Sequence, residues 1–294
     1  MTLLTTIEAA SYLRVKERKL YELVSSNAIP CTKITGRWLF PKDELDRWLA
    51  GSVVRPNGMA PADPMPIVGG SHDVLLEWAL RESRSGLATL PEGSEAGLNR
   101  FIQSELVAAA IHLHALHDES VDANVEALRT RSNLHDSVLI AFARREQGIV
   151  VAPRNPLSLN NIEDVVQKGA RIAVRPPGAG AQLLLEAFLH RRKMDLDRLV
   201  CVSPPSPTGP DIAQAVRAGR ADCGIAFRAV ALSAGLDFVP IVWEHFDLVI
   251  RQRHYFRRSL QSFLNFLRSP AISQRAHELG GYDVSQAGAV RFAP

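Results

Sequence analysis

The chain has 294 residues, 46% of them hydrophobic and 22% charged, which excludes a disordered polyelectrolyte and allows about two domains. Its 34 lysines and arginines exceed its 31 acidic residues by only three, so any nucleic-acid affinity must come from a local patch. The three cysteines, Cys31, Cys201 and Cys223, form no CxxC pair, which argues against a zinc knuckle or redox dithiol and suits a reducing compartment.

Residues 1–51 read as a compact basic unit. Thr5 or Thr6 can cap a first helix running to Leu13, with Glu8 in its first turn and Ile7, Ala10 and Leu13 on one face. After a turn at 14–16, a second helix is expected over 17–26, with Leu20, Leu23 and Val24 facing inward. Asn27 can supply a left-handed cap, and Pro30 blocks further helix. Residues 31–40 give two short β-type runs around Thr35-Gly36, a hairpin signal. Pro41 is expected to open a last helix, with Leu45, Trp48 and Leu49 on one face. Tyr12, Leu13, Leu20, Leu23, Trp38 and Trp48 are expected in the core. The exposed start of the second helix, Glu17, Arg18 and Lys19, stands where a recognition helix meets base edges. Lys33 and Arg37 on the hairpin are placed to hold flanking phosphates.

Residues 52–66 carry Pro56, Pro61, Pro64 and Pro66 with Gly58 and read as a semi-extended linker. From 67 to 294 apolar runs alternate with helical patterns. Strands are expected at 66–68, 87–90, 106–113, 137–143, 148–152, 171–174, 199–202, 223–227 and 238–242, with helices at 72–84, 181–193 and 211–218 among them. That alternation implies an α/β body with largely parallel sheets, and its length suggests two lobes.

Four glycine-bearing loops lead from a strand into a helix: Gly69-Gly70-Ser71-His72-Asp73, Gly93-Ser94, Pro177-Gly178-Ala179-Gly180 and Thr208-Gly209-Pro210-Asp211. Free N–H groups at such helix starts favour anions, and two loops in each half are what a closing clamp needs. Gly178-Ala179-Gly180 is neither a Walker loop nor a dinucleotide fingerprint. Arg145 is a candidate carboxylate partner or an inter-lobe ion pair. His112 and His114 alternate on an expected strand and, with His117, suggest metal binding. Nothing in the stretch completes a ligand set, so structural roles are favoured and no metal is expected. His72 and Asp73 resemble a general-base pair, but capping by Ser71 and Asp73 is the better reading. No nucleophile elbow, metal set or phosphate loop is found, so no catalytic activity is expected. The N-terminus lacks a basic start followed by an apolar run, and no stretch approaches a membrane span. A cytoplasmic protein without membrane contact is the expectation.

Thr5, Thr6, Glu8, Ala9, Ala10, Tyr12 and Leu13 match a known pattern, as do Val15, Arg18, Leu20, Tyr21 and Leu23. So do Ile29-Pro30, Gly36-Arg37-Trp38 with Phe40, and Leu45-Asp46 with Trp48-Leu49. Through these the head resembles the excisionase and MerR-like winged-helix family. Lys16 departs from it where a serine or threonine usually opens the second helix, and Lys19 stands where threonine is common. In the body, Gly70-Ser71-His72-Asp73, Gly93-Ser94, Gly97-Leu98, Val107-Ala108-Ala109 and Ile111-His112 carry a second resemblance. Arg145, Gln147-Gly148, Asn155-Pro156, Pro177-Gly178-Ala179-Gly180, Asp222-Cys223-Gly224-Ile225-Ala226 and Glu278-Leu279-Gly280-Gly281-Tyr282 extend it. The body resembles the type II periplasmic-binding-protein-like domain related to molybdate-binding proteins.

The resemblance implies a winged helix-turn-helix head and a two-lobed body, one lobe about 67–145 with 243–294 and the other about 146–242. Ser71 and Ser94 would hold an oxyanion from one lobe. Gly178, Ala179, Gly180 and Thr208 would supply donors from the other, with Asp211 closing the last loop and His112 lining the cleft. The implied function is a DNA-binding transcription regulator that senses molybdate, tungstate or a small organic acid. It would need no cofactor and would sit as a homodimer on double-stranded DNA. The alternative is an excisionase-like architectural protein whose body mediates protein contacts.

Overall fold

The computed structural model describes residues 2–26, 28–34, 36–52, 63–118 and 120–294, so Asn27, Thr35 and most of the linker lie outside the described residues. The chain divides into two compact units, Met1–Ala62 and Asp63–Pro294.

In the first unit β1 (Leu3–Thr5) leads into α1 (Thr6–Leu13) and α2 (Glu17–Ser25), then β2 (Thr32–Ile34), β3 (Arg37–Pro41) and α3 (Lys42–Ser52). The three strands form an antiparallel sheet in the order β1-β3-β2. A capping box starts α1: the Thr5 amide donates to the Glu8 carboxylate at 2.7 Å, and the Glu8 amide donates to Thr5 Oγ1 at 3.4 Å. Lys16 caps α2 without a side-chain hydrogen bond. Ala9, Ala10, Leu20, Val24, Ile29, Phe40 and Leu45 make the core of this unit.

Several expectations differ here, and in α1 the reason is that Ala9 and Ala10 turn inward. Ile7 is therefore 67% exposed. Tyr12 is 41% exposed, its hydroxyl donating to Asp46 and its ring 4.9 Å from Lys42 Nζ. Trp38 and Trp48 are half-buried against the core, and Leu49 is exposed. Pro41 ends β3 rather than opening α3, and β1 is too short for any periodicity to announce it.

The second unit begins with β4 (Met65–Gly70), α4 (Val74–Glu82), β5 (Ala88–Pro91), α5 (Ser94–Ile102), β6 (Leu106–Ile111) and α6 (Ala123–Thr130). Next come β7 (Ser137–Val151), α7 (Ile162–Gln167), β8 (Arg171–Ala173), α8 (Gly180–Arg191), β9 (Val200–Val202), α9 (Gly209–Arg217), β10 (Cys223–Phe227) and α10 (Arg228–Ser233). The chain closes with β11 (Asp237–Arg251), α11 (Arg258–Leu267), α12 (Pro270–Leu279), β12 (Tyr282–Asp283) and β13 (Val290–Phe292). The sheet runs β5-β4-β6-β11-β7-β10-β8-β9, with β12 and β13 also on β7. It is mixed rather than largely parallel: β4 pairs parallel with β5 and β6, and β8 with β9 and β10, while β7 and β11 pair antiparallel.

β7 and β11, 15 residues each, run through both lobes and are the spine of the body. Their first-lobe halves lie among the core of Leu75, Leu76, Phe142, Phe246 and Phe263, and their second-lobe halves among Ile149, Val151, Ile172, Leu184 and Ile225. Where the sequence predicts separate strands at 137–143 and 148–152, β7 is continuous, and β11 runs on past 242 to Arg251. The polar run Arg144-Arg145-Glu146-Gln147 in β7, and Glu244, His245 and Asp247 in β11, break the apolar pattern without breaking the strand. Two glycines set the first loop. A Cβ on Gly97 would fall 2.3 Å from Gly70 Cα, and Gly70 itself has φ +104°. α5 can thus press its backbone onto the loop after β4 because Gly97 carries no side chain. The loop can pass over β6 because Gly70 carries none: a Cβ there would lie 2.2 Å from the Ala110 carbonyl oxygen.

Candidate functional site

The loops after β4 and β8, the end of β10 and the middle of β7 meet at a small cavity between the lobes. Ser71, His72 and His112 line it from one side, Arg145 and Gln147 from β7, and Arg175, Ala226 and Phe227 from the other. The first turns of α8 and α9 reach it through Ala181 and Gly209, which brings two positive helix ends to its wall. As closed here it leaves about 10 Å³, about the room of one water.

Two arginines, Arg145 and Arg175, line the cavity. Arg145 is 1% exposed, with Nε donating to Glu244 Oε1 at 2.6 Å and an Nη donating to Asp73 Oδ2 at 2.8 Å. Its guanidinium lies 4.1 Å from the Phe246 ring and 4.8 Å from that of Phe227. Arg175 is differently placed. One Nη donates to the Pro207 carbonyl at 2.6 Å, but its Nε is buried with no partner among the described residues. Burial first, and then the charge of Arg145, push its guanidinium down to about 10. His72 Nδ1 and Gln147 Oε1 are also buried without partners, while the Gln147 amide nitrogen donates to Glu244 Oε1 at 2.9 Å. Burial lowers the His72 pKa.

Not all the expected ligand residues border this cavity. Ser71 and Ser94 spend their hydroxyls on each other at 2.7 Å, and Ser94 Oγ also accepts from the His112 amide at 3.1 Å. Ser94 is fully buried behind Ser71. Gly178, Ala179 and Gly180 form the contact between lobes instead: the Glu95 amide donates to the Gly178 carbonyl at 3.2 Å. A Cβ on Gly180 would lie 2.3 Å from the His112 carbonyl oxygen. Thr208 and Asp211 cap α9, with Thr208 Oγ1 donating to Asp211 Oδ2 at 2.6 Å. Asp73 caps α4 through the amides of Leu75 and Leu76, both at 2.9 Å, whereas Ser71 makes no such cap. Arg145 is both a buried inter-strand ion pair and part of the cavity wall. Arg175, Gln147 and Glu244 were missed. A charged residue just after a short strand was the available signal for Arg175.

The histidines also differ from expectation. β6 ends at Ile111, yet His112 Nδ1 and His114 Nε2 each lie 2.9 Å from Glu244 Oε2. His117 stands apart from them, 2.8 Å from His190 Nε2. Burial pushes His112 down to about 4 from 6.5. Burial alone would raise the Glu244 carboxyl, but His112, Arg145 and the imidazole hydrogen bonds hold it well below its usual range.

A pH dependence follows. The unfolded chain takes up a proton at His112 near 6.5 and the folded chain only near 4. The neutral imidazole's contribution is therefore complete above pH 6.5 and is lost as pH falls toward 4, by about 3 kcal/mol at about 1.4 kcal/mol per unit. Asp247, pushed up to about 7 mainly by burial, acts in the opposite sense over the same window. The difference between wild type and His112→Gln isolates the imidazole. Urea melts should show wild type losing about 3 kcal/mol relative to the variant between pH 7 and pH 4. A difference that does not move with pH would mean that the folded state protonates His112 as readily as the unfolded chain.

In the first unit, Glu17, Arg18 and Lys19 are exposed at the start of α2. Arg18 and Lys19 lie 3.6 and 3.2 Å from Glu22. Lys33 is exposed with Nζ 5.2 Å from the Trp38 ring, and Arg37 is exposed at the start of β3. Surface ion pairs of this kind are weak, so these cations stay available to phosphate.

Comparison with known proteins agrees with this fold. Residues 3–52 match the helix-turn-helix domain family, and residues 77–268 match the PBP superfamily domain. The Bacillus subtilis (strain 168) protein YvgK is 22% identical over 309 residues, spanning 97% of this chain and 96% of that protein. A phosphate-bound substrate-binding protein from Clostridium perfringens superposes with TM-score 0.53 at 14% identity, over 72% of this chain and 97% of that one. The regulatory domain of MetR, a LysR family regulator from N. meningitidis, gives 0.52 at 15% identity, over 74% and 96%. PhnD1 from Prochlorococcus marinus (MIT 9301), solved with methylphosphonate, gives 0.50 at 14%, over 76% and 94%. Among the described residues no helix is long and apolar enough to cross a membrane. With well over half of its length matched by that one family, the chain belongs to the PBP superfamily, its binding-protein body preceded by a DNA-binding helix-turn-helix domain.

Proposed function

We propose that the protein is a transcription regulator whose effector is a small protonated oxyanion or a small hydroxylated organic acid held between the lobes. The carrying observation is Arg175, whose buried Nε has no partner among the described residues and whose charge is opposed by that of Arg145 in the lining of one cavity bordered by two helix starts. An anion would pair with that Nε and add to the counter-charge of Asp211. Gln147 Oε1 narrows the choice: it is an unpartnered acceptor fixed in orientation by its bond to Glu244. A ligand bearing an O–H satisfies it, whereas molybdate, tungstate and sulfate at neutral pH offer only acceptors. Hydrogen phosphate and monoprotonated phosphonates fit both demands, and the Clostridium and Prochlorococcus proteins hold ligands of that kind.

Calorimetric titration at about pH 6 tests this. Phosphate or methylphosphonate should bind at least about tenfold more tightly than sulfate or molybdate, because the latter leave a buried acceptor unpaired, at a cost of about 1–3 kcal/mol. Binding of molybdate in preference to phosphate would refute the assignment. Absence of any anion binding would favour the architectural alternative, with the body serving protein contacts.

For the head we propose that Arg18 and Lys19 enter the major groove while Lys33 and Arg37 hold phosphates, with two chains sharing one operator. On a duplex selected from a random pool, Arg37→Ala should weaken binding uniformly across sequences. It should lower the slope of log affinity against log salt by about one, as measured by fluorescence anisotropy. An unchanged slope would remove Arg37 from the interface.

A further inference from the structure

His112, His114 and Glu244 form a cluster that anion binding does not require. Their nearest ligand atoms all lie within 4.8 Å of one another, and both imidazoles converge on one oxygen, Glu244 Oε2. We propose that this cluster is a binding site for a divalent first-row transition-metal ion, of which Zn²⁺ is the type, with His112 Nδ1, His114 Nε2 and Glu244 Oε2 as ligands.

Three features support it. The donor set is two imidazoles and one carboxylate, which Zn²⁺ and Co²⁺ accept with a fourth position left open. The carboxylate is already oriented from behind, its Oε1 receiving Arg145 Nε at 2.6 Å and Gln147 Nε2 at 2.9 Å, so Oε2 is free to face the histidines. Outer partners of this kind fix the geometry of ligating carboxylates. The ligand atoms also stand near the required spacing. Around a tetrahedral ion with bonds of about 2.1 Å, ligand atoms stand about 3.4 Å apart. Each imidazole would therefore withdraw from Glu244 Oε2 by about 0.5 Å, while the two imidazole nitrogens, within 4.8 Å of each other, close by up to about 1.4 Å. Access comes from a second cavity of about 350 Å³, which His114 and Glu244 line together with Leu113, Asp122 and Trp243. The three ligands join the loop after β6 to the strand β11. The ion would therefore tie the first lobe to the spine beside Arg145, where it adds positive charge next to the anion cavity.

The test uses the full chain, stripped with chelator and titrated with Co²⁺. One equivalent should bind with the visible d–d absorption of a four-coordinate ion, and Zn²⁺ should displace it. His114→Ala should lose affinity by more than the 10–100-fold that removal of an outer partner costs. His117→Ala should bind as wild type does. No Co²⁺ bound by the folded wild-type chain would overturn the proposal, whatever the variants do. So would binding that survives His114→Ala, or that vanishes with His117→Ala, which would place the ion on His117 and His190 instead. Because the readout is the ion itself, the result is independent of whether the anion reading stands.

Discussion

Replacing Arg175 with methionine is expected to cut affinity for phosphate about 100-fold, or about 2.8 kcal/mol, without destabilising the ligand-free protein. The two halves of that expectation have one cause. In the free protein Arg175 has poor company: its Nε is buried without a partner, and burial and Arg145 together depress its pKa to about 10. Removing it relieves that cost and forfeits the bond to the Pro207 carbonyl and the attraction of Asp211. In the complex it would supply charge-assisted hydrogen bonds in a place closed to water, each worth about 1.5–3 kcal/mol. Thermal melts show both effects. Phosphate at about 100 times its wild-type dissociation constant should add about 2.7 kcal/mol to wild type, and about 0.4 kcal/mol to the variant. A loss of less than about threefold would mean that the anion sits elsewhere. Arg175→Lys should recover only part of the affinity, since an ammonium cannot reproduce the planar fork.

The fold was legible in the sequence wherever a segment had one job. The order of helix, helix, hairpin and helix in the head showed through apolar spacing and turn residues, with a side-chain cap at α1 from Thr5 and Glu8 but none at α2. The strands β6 and β10 showed because both are wholly buried, and Leu106–Ile111 reads as an unbroken apolar run. Legibility failed where one strand both spans two lobes and carries the site. Arg145, Gln147 and Glu244 sit on β7 and β11 at positions that face the cleft, so the residues that matter most look like loop. The candidate site suffered from the opposite bias. Glycine and serine at strand-to-helix turns suggested ligand contacts, yet Ser94, Thr208 and Asp211 satisfy local backbone and side-chain partners. Periodicity and turn chemistry are local, whereas pairings such as Glu244 with His112 span more than a hundred residues and leave no local trace.

That long-range pairing sets the second large effect. Arg145→Leu is expected to destabilise the ligand-free protein by about 3–5 kcal/mol, seen as a fall in melting temperature of about 10 °C. The cause is not the worth of the ion pair itself. Taking Arg145 and Glu244 out of water costs nearly as much as their attraction returns, so the loss comes from leaving Glu244 buried and unopposed. Asp73, the other partner, still has the amides of Leu75 and Leu76 and the Tyr282 hydroxyl at 2.9 Å, so it contributes less. The argument therefore predicts a rescue. Adding Glu244→Gln removes the stranded charge and keeps one acceptor oxygen for Gln147, while its amide nitrogen faces the imidazoles as a donor that a neutral histidine nitrogen can accept. The double variant should recover at least about half of the loss, a coupling of about 2 kcal/mol between the two sites in a double-mutant cycle. Additive losses would place the effect of Arg145 in its packing between Phe227 and Phe246, and the spine would then be held by aromatic contact rather than by charge.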